Sequence, residues 1–148
     1  MKAKLLLIAT LGALAAADAP KDDASAKDLK KLQGDWAAVS MVVDGEKIPD
    51  DEAQALFRTI KDDQYTVFRF NKAIGKGTFK LDATKKPKTI NALPANAGPN
   101  AKLILGIYEL DDKTFKFCYA RPGKDRPTDL SAKQGSGHTL TVWEREKK

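Results

Sequence analysis

Histidine and cysteine, side chains suited to nucleophilic and metal chemistry, occur once each among the 148 residues of this chain. A zinc site built from several histidines is therefore excluded, and any Ser-His-Asp or Cys-His arrangement would depend on His138 alone. His138 directly follows a Gly-Ser-Gly turn, where an exposed or rim position is expected. Cys118 lies in an apolar run and is expected to be a buried small hydrophobe, because no adjacent charges would lower its pKa.

Paired acidic residues could supply a general acid and a general base, but here they fall at turns. The pairs are Asp50-Asp51, Asp62-Asp63 and Asp111-Asp112. A carboxylate at a hydrated turn lacks the burial that raises its pKa toward the value a general acid needs. We interpret the pairs as turn formers and predict no catalytic residue, metal or cofactor. A hydrolase that uses His138 with an acid is kept as an alternative.

The segment 121–137 contains the side chains best suited to hold a ligand. Tyr119 leads into this segment, and Arg121 and Arg126 each precede a proline that stiffens the chain. Two arginines at one end of a sheet could donate to a carboxylate or phosphate head group. We therefore predict Tyr119, Arg121 and Arg126 as ligand-binding residues. The alternative is that the arginines pair with nearby acids and hold the loop in place.

Short strand-like runs must position these residues. About eight such runs follow one another from Gly34 to Glu144, separated by turn signals such as Asp44-Gly45. One short helix is expected at 50–57, with Asp50 as its N-cap. This order predicts a mainly β fold, a lipocalin-like up-and-down antiparallel β-barrel of about eight strands with one short helix. An open two-sheet sandwich is the alternative, and a long loop is expected at 121–137.

Two local details of the strands can be predicted. Alternation from Trp36 puts Ala38 and Val42 on one face, whereas the bulkier Met41 and Val43 fall on the other. A β-bulge near Val39 would bring both sets to the same side of the sheet. Farther along the chain, the runs 102–110 and 114–119 predict the clearest hairpin.

The N-terminus has the pattern of a bacterial-type signal peptide at 1–17. Lys2 and Lys4 precede an apolar core at 5–14 and three alanines at 15–17. The apolar core is shorter than the roughly 20 residues of a membrane-spanning helix. We therefore predict export to the periplasm or the extracellular space, with no membrane span in the mature chain. Residues 18–31 would be a flexible leader with a short helix at 26–32, and 32–148 a single barrel domain.

Without residues 1–17, which carry two lysines and no acid, the formal net charge falls from +6 to +4, and the lysine clusters lie in terminal or loop segments with acids nearby. A nucleic-acid interface would need a denser basic stripe with interleaved aromatic residues. Nucleic acid is therefore not expected as a partner.

Several spaced motifs together resemble a known family. They are LQGDW at 32–36, VDG at 43–45, GTFKLD at 77–82, KPKTI at 86–90, GIYEL at 106–110, ARP at 120–122 and RPT at 126–128. In this order they are similar to the planctomycete-type lipocalin-like domain, which has no established activity. The resemblance implies a lipocalin-like barrel. It also implies a structural barrel base formed by Gly34, Trp36 and Arg145. Gly34 and Trp36 belong to the G-x-W motif, and Arg145 stacks over the tryptophan ring.

The function expected from these observations is non-enzymatic binding of a small apolar or amphipathic ligand inside the barrel. The alternative is an interaction or inhibitor-type module with a filled barrel that contacts another envelope protein. A cavity of roughly 300 Å³ or more would favour the first function, and a solid interior beside an exposed apolar patch would favour the second. For a chain of this size, filling by large side chains is favoured over a roomy cavity.

Overall fold

The computed structural model describes residues 22–147, so the predicted signal peptide at 1–17 and its cleavage site lie outside the described residues. The described helices and strands follow one another in a simple order. They are α1 Asp23–Leu32, β1 Gly34–Val43, β2 Glu46–Lys47, α2 Asp50–Gln54, β3 Leu56–Lys61, β4 Gln64–Arg69, β5 Lys72–Asp82, β6 Lys88–Pro94, β7 Ile104–Leu110, β8 Thr114–Tyr119 and β9 Thr139–Arg145.

The sheet closes on itself. Strands β3 to β9 pair antiparallel with their sequence neighbours, and β1 pairs with β3 on one side and with β9 on the other. The β1–β9 register runs from Trp36 opposite Arg145 to Val43 opposite Thr139. Eight strands therefore form a closed up-and-down barrel, with β2 as a short addition to β1. The predicted barrel is confirmed and the open sandwich is wrong. The helix expected at 50–57 is present as α2 but ends at Gln54, and α1 corresponds to the short helix expected at 26–32.

Alternate residues of each strand face the barrel interior. Most of these inward-facing residues are apolar, and so the interior is apolar. The buried core comprises Leu32, Trp36, Ala38, Leu56, Ile60, Phe79, Ile90, Ala92, Tyr108, Phe115, Phe117 and Trp143. Phe115 lies at the centre of its aromatic part, with ring centroids 5.9 Å from Trp36 and 6.0 Å from Phe117. The hairpin predicted at 102–119 is confirmed as β7 and β8.

The predicted bulge in β1 is also confirmed. The β1–β9 register shifts between Ala38 and Ser40, which leaves Val39 without an opposite residue. Ala38 then lies opposite Trp143, and Met41 packs against the same core. The bulge thus lets β1 place Met41 against the barrel core.

The segment before the barrel requires a correction. Residues 23–31, predicted as a flexible leader, belong to helix α1, which is longer than the expected 26–32 and packs against β5. Asp22 caps this helix by accepting a hydrogen bond of 2.6 Å from the Ser25 amide. The buried Ser25 hydroxyl in turn accepts a bond of 2.8 Å from the Ala83 amide, just after β5. The leader is therefore part of the domain from Asp22 onward.

The segment 121–137 covers part of the outer wall of the barrel. Ile107 and Cys118 alternate with the inward-facing Tyr108 and Phe117, and so they point outward, yet they are only 1% and 0% exposed. The Cys118 thiol lies 3.5 Å from the Ser131 carbonyl oxygen, which belongs to the covering segment. The expected burial of Cys118 is thus confirmed, although the residue lies under the loop and not in the barrel core.

Candidate functional site

A cavity of about 140 Å³ remains inside the barrel. Its lining consists of Leu32, Arg58, Ile60, Tyr65, Phe79, Ile90, Ala92, Ile104, Phe115, Phe117 and Tyr119. The volume lies below the roughly 300 Å³ at which drug-sized pockets begin. Large side chains therefore fill most of the interior, as expected, but they leave a space with largely apolar walls.

Arg58 is the charged residue in this lining. It lies in β3 between Leu56 and Ile60, which are 9% and 5% exposed and face the interior. Since alternate residues of a strand share a face, Arg58 also points inward. The residue as a whole is half-buried, but its Nε is fully buried without a hydrogen-bond partner. Burial lowers the pKa of the Arg58 guanidinium, and the nearby Tyr119 and Tyr65 oppose this shift.

Aromatic rings surround the Arg58 guanidinium. Its Cζ lies 4.8 Å from the ring centroid of Trp143, 5.3 Å from that of Tyr65 and 5.5 Å from that of Phe117. Within residues 22–147, no hydrogen bond or ion pair reaches this guanidinium. Each cation–π contact contributes about 0.5–2 kcal/mol, whereas desolvating an ion costs several kcal/mol. The rings therefore offset part of the cost and leave the buried Nε–H of Arg58 without an acceptor.

Two tyrosines complete the polar part of the cavity wall. Burial raises the pKa of Tyr65, and the neighbouring Arg58 charge opposes this shift. Tyr119 packs against Phe117 with ring centroids 4.7 Å apart. In the part of the chain that the structure describes, neither tyrosine hydroxyl has a hydrogen-bond partner. Arg58, Tyr65 and Tyr119 thus bring donors without partners to a single apolar cavity.

Gly77 makes room for this arrangement. It lies opposite Tyr65 in the β4–β5 pair, and a Cβ atom at this position would lie 2.8 Å from the Tyr65 hydroxyl oxygen. The same atom would lie 2.3 Å from the carbonyl oxygen of Leu93. A glycine is therefore required where Tyr65 crosses β5.

Of the predicted ligand-binding residues, Tyr119 lines the cavity but Arg121 and Arg126 do not. Arg121 is exposed on the outer segment. Arg126 donates to the carbonyl oxygens of Ile90 and Gly106, at 3.2 and 2.7 Å, and to the side-chain oxygen of Asn91 at 2.7 Å. These bonds hold the covering segment on the outer wall. This is the alternative role considered for the arginines, in which they hold the loop in place. The acceptors are oxygens of strands β6 and β7, whereas acids were expected.

The residues assigned to the barrel base lie together at the end of α1. The Trp36 indole N–H donates to the Leu32 carbonyl oxygen at 2.9 Å, and Arg145 Cζ lies 4.3 Å from the Trp36 ring centroid. Arg145 also donates to the Gln33 carbonyl oxygen at 2.7 Å. Gly34 has φ of 109°, and a Cβ there would lie 3.3 Å from Arg145 Nη1. This cluster joins α1, β1 and β9.

Arg58 is the site residue that the sequence analysis missed. The available signal was the run Leu56-Phe57-Arg58-Thr59-Ile60, in which Arg58 shares a strand face with Leu56 and Ile60. Such a residue can also lie at a strand end with its charge in water. The pattern therefore marks Arg58 as unusual without showing that it is enclosed.

The other groups considered for chemistry are not assembled into a site. Among residues 22–147, no three His, Cys, Asp or Glu side chains are grouped to hold a metal ion. Asp111 accepts hydrogen bonds from the amides of Lys113 and Thr114, at 2.8 and 2.7 Å, and these bonds lower the pKa of its carboxyl group. The turn-forming role of this acid is confirmed. Over the same residues, the helices are too short and too polar to cross a bilayer.

Comparison with known proteins finds no matching family model, no matching curated protein and no matching solved structure. The resemblance to the planctomycete-type lipocalin-like domain therefore stays a prediction.

Proposed function

We propose that this protein is an exported, non-enzymatic lipocalin-like domain that binds one small apolar or amphipathic molecule inside its barrel. The observation that carries the proposal is the cavity of about 140 Å³ with mainly apolar walls inside a closed barrel. A dry apolar cavity of about 150 Å³ accepts a molecule the size of benzene. The ligand is therefore a single ring or a short chain.

Export to the periplasm or the extracellular space is part of this proposal. It is supported by the signal-peptide pattern at 1–17. A barrel that encloses its ligand would keep a poorly soluble molecule out of water during transfer.

Three larger depressions, of about 390, 540 and 760 Å³, lie on the outer surface. The exposed Lys85 and Lys86 line both of the larger two. Arg126, which borders the largest depression, has its donors occupied by the sheet. The internal cavity is thus the better candidate for a specific ligand.

The proposal is tested by filling the cavity. Ala92 lines the cavity and is 6% exposed, whereas Ala73 is an exposed alanine of β5. We expect Ala92→Leu to weaken toluene binding at least tenfold in calorimetric titration and Ala73→Leu to leave it unchanged. Native mass spectrometry of protein from its natural host should show a co-purified small molecule. If wild-type protein binds neither toluene nor the amphipathic probe benzoate and co-purifies with nothing, the proposal is wrong.

The alternative is a module that contacts another envelope protein. One observation favours it: Phe70 and Ile74 are large apolar residues that are 75% and 57% exposed near the β4–β5 turn. Exposed apolar residues that lie together often mark contact surfaces. If this alternative holds, Phe70→Ser will abolish partner binding and Ala92→Leu will have no effect on it.

A further inference from the structure

The charge of Arg58 has no partner on the cavity wall. Of the described residues that line the cavity, Arg58 alone carries a charge, and the others are apolar except for Tyr65 and Tyr119. Its Nε is buried without a hydrogen bond, and no ion pair reaches the guanidinium within residues 22–147. A buried charge in a folded protein normally has a paired counter-charge. An anionic group in the cavity would supply this counter-charge.

The remaining donors favour an anion with two oxygens. A guanidinium presents its N–H groups in a planar fork that matches the two oxygens of a carboxylate. The tyrosine hydroxyls add single donors that can reach lone pairs left free by the fork. Because a single cation lines the cavity, an anion with one negative charge is balanced and an anion with two is not.

We propose that the ligand is a small monocarboxylic acid, bound with its carboxylate on Arg58 between Tyr65 and Tyr119. Its apolar body lies against Ile90, Ala92 and Ile104. The cavity of about 140 Å³ limits this body to one ring or a short chain. The inference rests on the proposed function, because it names the chemical class of the molecule bound at that same site.

The first test compares three ring compounds of similar shape, and one inorganic anion, on wild-type protein. Benzoate, benzamide, toluene and sodium nitrate are titrated separately by calorimetry, with tryptophan fluorescence as a second signal because Trp143 lies 4.8 Å from Arg58. We expect benzoate to bind at least tenfold more tightly than benzamide and toluene. A shift of the Arg58 Nε–H signal in nuclear magnetic resonance spectra should accompany benzoate binding and be absent with toluene.

The second test removes the cation. Arg58→Met keeps an unbranched side chain of similar length, and we expect it to weaken benzoate binding at least tenfold while toluene binding is kept. Arg58→Lys retains the charge without the fork and should bind benzoate with intermediate affinity. Tyr65→Phe and Tyr119→Phe should each lower benzoate affinity severalfold. Arg121→Met, which removes an exposed arginine outside the cavity, is the matched control and should have no effect.

The outcomes separate the inference from the proposed function. Equal affinities for benzoate, benzamide and toluene, unchanged in Arg58→Met, would overturn the carboxylate and leave a ligand-binding barrel. Nitrate binding without benzoate binding would also overturn it, because Arg58 would then hold an inorganic anion only. Failure of all four probes would overturn the proposed function itself. Should Arg58→Met not fold, the wild-type comparison of benzoate with benzamide decides the question.

Discussion

Arg58 combines an apolar location with a positive charge that has no counter-charge, and an apolar location makes such a charge costly. It lies on the apolar face of β3, and within residues 22–147 its charge has no carboxylate partner. The aromatic contacts with Tyr65, Phe117 and Trp143 offset only part of the desolvation cost. The ligand-free protein should therefore be less stable than the same barrel with an apolar side chain at this position.

We expect Arg58→Met to raise the free energy of unfolding of the ligand-free protein by about 1–3 kcal/mol, because it removes an unpaired charge from the interior. Urea denaturation followed by circular dichroism measures the change. Arg69→Met is the control, since the Arg69 side chain is 45% exposed and lies 3.7 Å from Glu52. The control should change stability by less than about 1 kcal/mol. A loss of stability in Arg58→Met would show that the aromatic contacts outweigh the desolvation.

Cys118 provides a prediction about pH. Burial raises the pKa of its thiol from 9.0 to about 11. Since the folded-state pKa is the higher one, the thiol's contribution to stability is fully present below about pH 9 and is lost as the pH rises through about 11. We expect the stability of wild-type protein to fall more steeply than that of Cys118→Ala across this interval. Tyrosines and lysines titrate in both proteins, so parallel curves would contradict the assigned cause.

At the scale of elements, helix α1 is attached to the barrel by polar contacts as well as by the buried Leu32. Asp28 is 8% exposed, and its carboxylate accepts hydrogen bonds of 2.8 Å from the Tyr108 hydroxyl and from Lys88 Nζ. Together with the bond from the Ala83 amide to Ser25, these contacts join the helix to β6, β7 and the end of β5. The helix therefore closes the base of the barrel.

We expect Asp28→Ala to lower the free energy of unfolding by about 2–3 kcal/mol, because it leaves the buried Tyr108 hydroxyl without its acceptor. Asp23→Ala is the matched control, since Asp23 is an exposed acid in the first turn of the same helix. Its loss should cost less than about 1 kcal/mol. Chemical denaturation of both variants provides the comparison, and equal losses would show that the Asp28 contacts contribute nothing specific.

The barrel as a whole is closed by the pairing of its first strand, β1, with its last strand, β9. Trp36 is 0% exposed and lies where α1, β1 and β9 meet. The Arg145 guanidinium covers its ring and also hydrogen-bonds to backbone carbonyls at the end of α1 and beyond. The contacts of this one side chain thus join sequence segments that lie more than a hundred residues apart.

We expect Trp36→Ala to lower the free energy of unfolding by about 3–5 kcal/mol, the range of large aromatic truncations. Trp36→Phe keeps much of the packing and loses the bond to the Leu32 carbonyl oxygen, so it should cost about 1–2 kcal/mol. Calorimetric melting of the two variants tests both values. An unchanged melting temperature for Trp36→Ala would contradict a role in closure.

Several features were predictable because they depend on neighbouring residues. The bulge at Val39 follows from a change in the alternation of β1, and the β7–β8 hairpin follows from two alternating runs around Asp111-Asp112. The extent of α1 was underestimated because its buried Ser25 and Asp28 look like surface residues in sequence. Their partners, Ala83 and Tyr108, lie 58 and 80 positions away.

The strands, the turns and the mainly β class follow from the amino-acid sequence alone, because side-chain alternation and turn chemistry act over a few residues. The pairing of β1 with β9 and the covering of Cys118 by the outer segment join residues far apart in the chain, and so they are evident only in the folded structure. The folded structure also decides the environment of Arg58, where Phe117 and Trp143 arrive from strands far along the chain. Whether a charged side chain on an apolar strand face reaches water or is enclosed depends on closure of the sheet, and closure is a property of the register of all eight strands together.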